Sequence, residues 1–138
     1  MKLKYTCEIV INKDIHSVTK KMIDYESMKK WQKSLLTFKT IKGIPGQEKS
    51  LTKLYFDNDM IMTETIEKNL LPNRLIQVYE VTGVWNRCVN DFLDLKGQTK
   101  WILETEFIIK KDIDLPVDAF KKKTLRAMED FKDFIESQ

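Results

Sequence analysis

The sequence predicts an α+β fold in which a curved, seven-stranded antiparallel sheet grips one long C-terminal helix, and three observations carry that prediction. Hydrophobic residues recur with a period of two over residues 3–11 and again between residues 35 and 110, the spacing of strands with one buried face. The strands of the second stretch are separated only by short turns, so neighbours must run antiparallel. From Phe120 the period becomes helical and stays so to the C-terminus. The order is strand, two short helices, six strands, one long helix. A half-apolar sheet and a single amphipathic helix bury their faces best against each other, with the helix across the concave side.

Each element has its own local reason. In residues 3–11, Tyr5, Cys7, Ile9 and Ile11 share one face. Asn12 or Asp14 can cap the first helix, since either side-chain oxygen accepts an orphan amide of the first turn. Ile15, Val18 and Met22 form that helix's buried stripe, and Tyr25, Met28 and Trp31 form the next. Strands are expected at residues 35–42, 50–57, 59–69, 74–82, Gly83 to about Leu95, and 99–110. The separating segments are Gly43-Ile44-Pro45-Gly46, Asp57-Asn58-Asp59, Pro72-Asn73 and Lys96-Gly97-Gln98. Pro116 suits the opening turn of the last helix, where its missing N–H costs nothing, and Asp118 favours the positive helix end. Phe120, Thr124, Ala127, Met128, Phe131 and Ile135 make its inward stripe.

Length and charge narrow the function classes. A chain of 138 residues suits one domain spanning residues 1–138. Lys and Arg number 24 against 21 Asp and Glu, a net +3, without the clustered basic excess of a nucleic-acid binder. No apolar run approaches the ~18–20 residues of a membrane span, and the N-terminus lacks the pattern of a secretory signal. Cys7 and Cys88 are too few and too far apart for a disulfide framework, so a reducing, cytoplasmic setting is expected.

Several segments carry a resemblance. Ile11 to Val18 resembles a first strand running into an I-N-x-x-x-x-x-V helix start, and Asp24 to Trp31 resembles a D-x-E-x-x-x-x-W segment. Gly43 to Ser50 is similar to a G-x-P-G-x-x-G-S loop, with Lys49 where a second glycine is usual. Thr65-Ile66-Glu67 before Leu71-Pro72-Asn73-Arg74, and Gly97-Gln98-Thr99 before the last strand, continue the pattern. In this order the motifs resemble the START-like, or SRPBCC, superfamily, which includes the birch pollen allergen and the polyketide cyclase/dehydrase group, and they span essentially the whole chain. The resemblance implies a helix-grip fold with a deep apolar cavity between sheet and last helix, in a family that carries or transforms lipids, sterols, polyketides, quinones and plant hormones. A shared fold fixes no single chemistry.

Catalytic motifs of the familiar kinds are missing from the sequence. The sole histidine, His16, reads as a solvated residue of a short helix, so no metal site or hydrolytic triad is expected. Cys7 and Cys88 read as buried structural thiols, and no loop cradles a phosphate. The Lys121-Lys122-Lys123 run reads as the wet face of the last helix. Glu64 shares a strand face with Met60, Met62 and Ile66, where desolvation would raise its pKa and suit it to acid/base work. Two plainer readings of Glu64 are favoured: it meets water near a cavity mouth, or it pairs with Arg87.

The inner parity of residues 84–95 is open. A two-residue Lys96-Gly97 turn sets Phe92 beside Trp101 and turns Asn90 and Cys88 inward, with Trp85 outside; a one-residue slip exchanges the two sets.

The leading expectation is a small cytoplasmic binding protein, monomer or homodimer, holding an apolar or amphipathic ligand without cofactor, metal, nucleic acid or stable membrane insertion. Its candidate ligand-binding residues are Phe56, Met62, Glu64, Tyr79, Asn90, Phe92, Trp101, Phe120, Thr124 and Met128. The alternatives are a cofactor-free polyketide cyclase or dehydratase, with Glu64 and Tyr79 as its candidate catalytic residues, and an interaction module whose cavity is filled by side chains.

Overall fold

The computed structural model describes residues 1–110 and 116–138. Strand β1 (Lys2–Ile11) leads into helices α1 (Ile15–Met22) and α2 (Tyr25–Trp31). Six strands follow: β2 (Leu35–Lys42), β3 (Leu51–Phe56), β4 (Ile61–Leu70), β5 (Arg74–Val81), β6 (Val84–Asp94) and β7 (Thr99–Ile109). Helix α3 (Val117–Glu136) closes the chain. The seven strands form one antiparallel sheet in the order β1-β7-β6-β5-β4-β3-β2. Register irregularities fall in β2 and β4, between Leu35 and Thr37, Thr40 and Lys42, and Ile66 and Lys68. Such bulges bend a strand and increase its local twist, which helps the sheet to curl.

The expected elements are found, with small shifts at their ends. The strand expected from residue 59 begins at Ile61, because Asp59 takes a left-handed backbone (φ 65°) and the Met60 N–H donates to Asn58 Oδ1 at 3.2 Å, which prolongs the turn. Of the two expected caps for α1, Asp14 is the one used; it accepts from the Ser17 N–H at 3.0 Å and from the Ser17 hydroxyl at 2.6 Å. Asp24 repeats the arrangement on Ser27 at the head of α2. That cap sets Tyr25 as the first residue of α2, where it is buried.

The concave face carries the core. Ile11, Val18, Ile66, Leu75 and Phe131 are almost wholly enclosed, and Trp101 stacks on Phe92 at 6.1 Å and meets the edge of Phe131 at 5.5 Å. The buried residues of α3 are Met128, Phe131 and Ile135, all from its C-terminal half. Phe120, Thr124 and Leu125 of the N-terminal half are only partly covered. A second cluster of Tyr25, Met28, Leu35, Leu54 and Phe56 lies beneath α2. The convex face carries cross-strand ion pairs, among them Arg74–Asp91, Arg87–Glu67 and Lys4–Glu104.

Candidate functional site

Register decides which polar residues face inward. Phe92 lies opposite Trp101 and Asn90 opposite Leu103, so Cys88 and Asn90 point to the concave side. Arg87 and Trp85 belong to the opposite parity. The Arg87 guanidinium donates to Glu67 at 2.7 Å on the convex side, so it is not the partner of Glu64. Nor does Glu64 meet water: it is 1% exposed. Both plain readings of Glu64 are therefore corrected by the sheet geometry, since β4 residues of its parity lie beneath α2 and the parity of Arg87 faces out.

The carboxyl of Glu64 sits at the end of a hydrogen-bonded chain that crosses four strands. Trp101 Nε1 on β7 donates to Asn90 Oδ1 on β6 at 3.0 Å. Asn90 Nδ2 donates to Gln77 Oε1 on β5 at 3.1 Å and to the Leu75 carbonyl at 3.0 Å. Gln77 Nε2 donates to Glu64 Oε2 on β4 at 3.4 Å. From the opposite side the Tyr25 hydroxyl of α2 donates to Glu64 Oε1. Tyr79, the cross-strand neighbour of Glu64, adds a second phenol close to the same carboxyl. The Gly46 backbone and the Thr52 hydroxyl bear on the Tyr25 oxygen. Gly46 has φ 80°, and a Cβ there would stand 3.0 Å from the Ile23 side chain, so glycine fits this approach of loop to helix.

Electrostatics follow from burial. Desolvation holds the Glu64 carboxyl above the ordinary carboxylate range, although hydrogen bonds from Tyr25 and Tyr79 pull it back down. The same burial, and then the Glu64 charge, pushes the Tyr25 and Tyr79 phenols up. Burial lifts the Cys88 thiol to about 11. Among the described residues no Lys or Arg forms an ion pair with Glu64, and no group of His, Cys, Asp and Glu side chains is placed to hold a metal ion.

The expected site residues lie in different surroundings. Glu64, Asn90 and Trp101 form the polar chain with Tyr79 beside it. Phe92 and Met128 are buried in the main core and Phe56 in the cluster beneath α2. Met62, Tyr79 and Phe120 are half-buried, and Phe120 packs against the Phe107 ring at 5.5 Å. Thr124 is engaged elsewhere, its hydroxyl 2.6 Å from that of Tyr5. Sequence reasoning missed Tyr25 and Gln77 as parts of the site. Gln77 carried a signal, being a polar residue at the parity of Leu75 and Tyr79. Tyr25 carried only its place in an apolar helical stripe.

Two surface depressions flank α1, one beside His16, Ile23 and Pro72 and the other beside Lys13, Ser17 and Ile135. Neither is lined by Glu64. No helix among the described residues is long and apolar enough to cross a membrane.

No protein-family model matches the chain, and no match to a curated protein reaches significance. Solved structures do resemble it along its whole length. Ara h 8.0201 is 12% identical with a TM-score of 0.80, each chain covered over 100%. A START superfamily protein from Mycobacterium smegmatis is 10% identical over 97% of both chains, with a TM-score of 0.82. A Streptomyces aromatase/cyclase is 10% identical over 98% of this chain and 92% of its own, with a TM-score of 0.74. At such identities the likeness is one of fold, and it agrees with the strand order and the closing helix. The chain shares the helix-grip fold of these solved structures.

Proposed function

We propose that the protein binds an amphipathic small molecule on the concave face, with the ligand's polar end at Glu64, Tyr25 and Tyr79. Its apolar part lies along the half-buried wall near the N-terminal half of α3. The observation that carries this reading is Glu64 itself. A carboxyl almost wholly removed from water and without a cationic partner is costly to keep. This one is held by a chain of donors drawn from three other strands and a helix. Met60, Met62 and Phe38 lie on or beside the same face and are only partly covered, as are Phe107 and Phe120. An apolar wall with a few convergent polar groups is the usual character of a small-molecule site.

The interior beneath the C-terminal half of α3 is filled by Phe131, Trp101 and Met128, so the ligand belongs toward the other end of the helix. The two free, buried thiols support work in a reducing compartment such as the cytoplasm.

Native mass spectrometry of freshly purified protein, followed by solvent extraction, tests the reading. A retained apolar or amphipathic compound is expected, and Met62→Trp should reduce its retention while the protein stays folded. An apo mass together with no binding from a panel of lipids and polyketides overturns the reading and favours the filled-cavity interaction module.

An enzymatic second reading has one observation in its favour: a carboxyl and two phenols meet at one point, which is the equipment of acid/base catalysis. Incubation of the retained compound with the protein separates the two, since a carrier returns it unchanged.

A further inference from the structure

The hydrogen-bonded chain has a fixed polarity, and that polarity specifies what the site lacks. An indole N–H can only donate, so Asn90 must present its carbonyl oxygen to Trp101. The Leu75 carbonyl can only accept, so it holds the Asn90 amide nitrogen in the same orientation. Gln77 must then turn its oxygen toward Asn90 and its NH2 toward Glu64. On the other side the Tyr25 oxygen faces the Gly46 backbone and the Thr52 hydroxyl, which leaves its proton for Glu64. The surroundings of Glu64 are donors on both oxygens, an arrangement made for a carboxylate. A carboxylate has about four acceptor positions. The described donors are neutral, so the negative charge itself remains without a counter-charge.

We infer that the Glu64 site takes the amino group of an amphipathic amine, whose ammonium completes the charge pair while its hydrocarbon lies against Met62 and its half-buried neighbours. The inference rests on the binding reading above and specifies its ligand class. The unspent capacity at the site is of acceptor type, on Glu64 and the Tyr79 oxygen, which suits an N–H donor and rejects a carboxylate or phosphate. A Glu64 that burial has neutralised reaches the same state by giving its proton to the incoming free amine, which yields carboxylate and ammonium. The Tyr25, Tyr79 and Phe38 rings stand beside the carboxyl or pack on one another there, Tyr25 against Phe38 at 5.4 Å, and aromatic faces attract a desolvated cation further. Long-range electrostatics do not explain such a preference, because a net charge of +3 favours anions.

Decylamine, decanol and decanoate, three probes with one hydrocarbon chain and different heads, test the inference by calorimetric titration at neutral pH. The expected result is that decylamine binds about tenfold or more tighter than decanol, with decanoate weakest. In Glu64→Gln the amine should lose that advantage while decanol binding persists. If decanol binds and decylamine binds no better, or decanoate matches it, the amine inference falls and the binding reading stands. If none of the three binds, both fall. The comparison of heads on the wild-type protein decides the matter even where Glu64→Gln fails to fold.

Discussion

Trp101 and Glu64, three strands apart, stand at the two ends of a single hydrogen-bonded chain through Asn90 and Gln77, one residue on each of β7, β6, β5 and β4. Each link is set by sheet register. A carboxyl beneath α2 thereby depends on an indole in the main core.

The chain should behave as a unit. Asn90→Ala leaves the Trp101 N–H and the Gln77 side-chain oxygen without their partners. It should destabilise the fold by about 1–3 kcal/mol for each group that water does not reach. Trp101→Phe should cost less once Asn90 is gone, with a coupling of about 1 kcal/mol between the two positions. Urea denaturation of the two single variants and the double variant measures it; strict additivity would show that the links are independent.

The pH dependence of stability should carry the signature of Glu64. Its folded pKa lies above its unfolded value through burial. The native state therefore holds the proton more tightly, and its contribution to stability is full below about pH 4.3, the unfolded value. The contribution is lost as pH rises through the folded value. Glu64→Gln removes this slope: its amide oxygen can accept from Gln77, while its NH2 replaces the oxygen that accepts from Tyr25, so the Tyr25 hydroxyl must turn and the variant starts from a lower stability at every pH. Thermal melting of both proteins across this range should show the variant gaining on the wild type as pH rises. Parallel curves would mean that Glu64 does not titrate differently on folding.

Lys49 occupies a left-handed backbone position (φ 69°) in the loop that leads into β3. A side chain there costs about 1–2 kcal/mol, against the ~0.5–1 kcal/mol by which glycine loosens the unfolded chain. Lys49→Gly should raise stability by roughly 0.5–1 kcal/mol by this difference, read as a higher denaturant midpoint at unchanged slope, whereas Lys49→Ala should not.

Cys88 should be chemically quiet. With its thiol lifted to about 11 by burial, roughly one molecule in a thousand is thiolate at about pH 8. Cys7 is also buried, with its thiol raised by the same cause. A thiol-reactive dye should label both residues slowly in the native protein and rapidly in denaturant; fast native labelling of Cys88 would show that the sheet opens around it.

The fold was legible because it rests on local signals. Strand parity, a cap at Asn12 or Asp14, the Gly-Pro loop and the helical return after Pro116 each act within a few residues, and together they allow one packing. The site was only partly legible. Glu64 and Tyr79 stood out as polar groups at an apolar parity, yet Arg87 looked an equal partner for Glu64 until register placed it on the convex face against Glu67. Tyr25 looked like ordinary core, because its hydroxyl finds Glu64 across 39 residues of chain.

By itself, the sequence determined the order of elements, the antiparallel pairing and the inward face of most strands, since these follow from periodicity and turn chemistry. Tertiary structure alone decided that Glu64 is enclosed and unpaired by any described cation, that the amides of Gln77 and Asn90 are oriented toward it, and that side chains fill the space under the C-terminal half of α3. The physical reason is that burial and hydrogen-bond direction are properties of groups brought together from distant segments, and no local pattern encodes which of them meet.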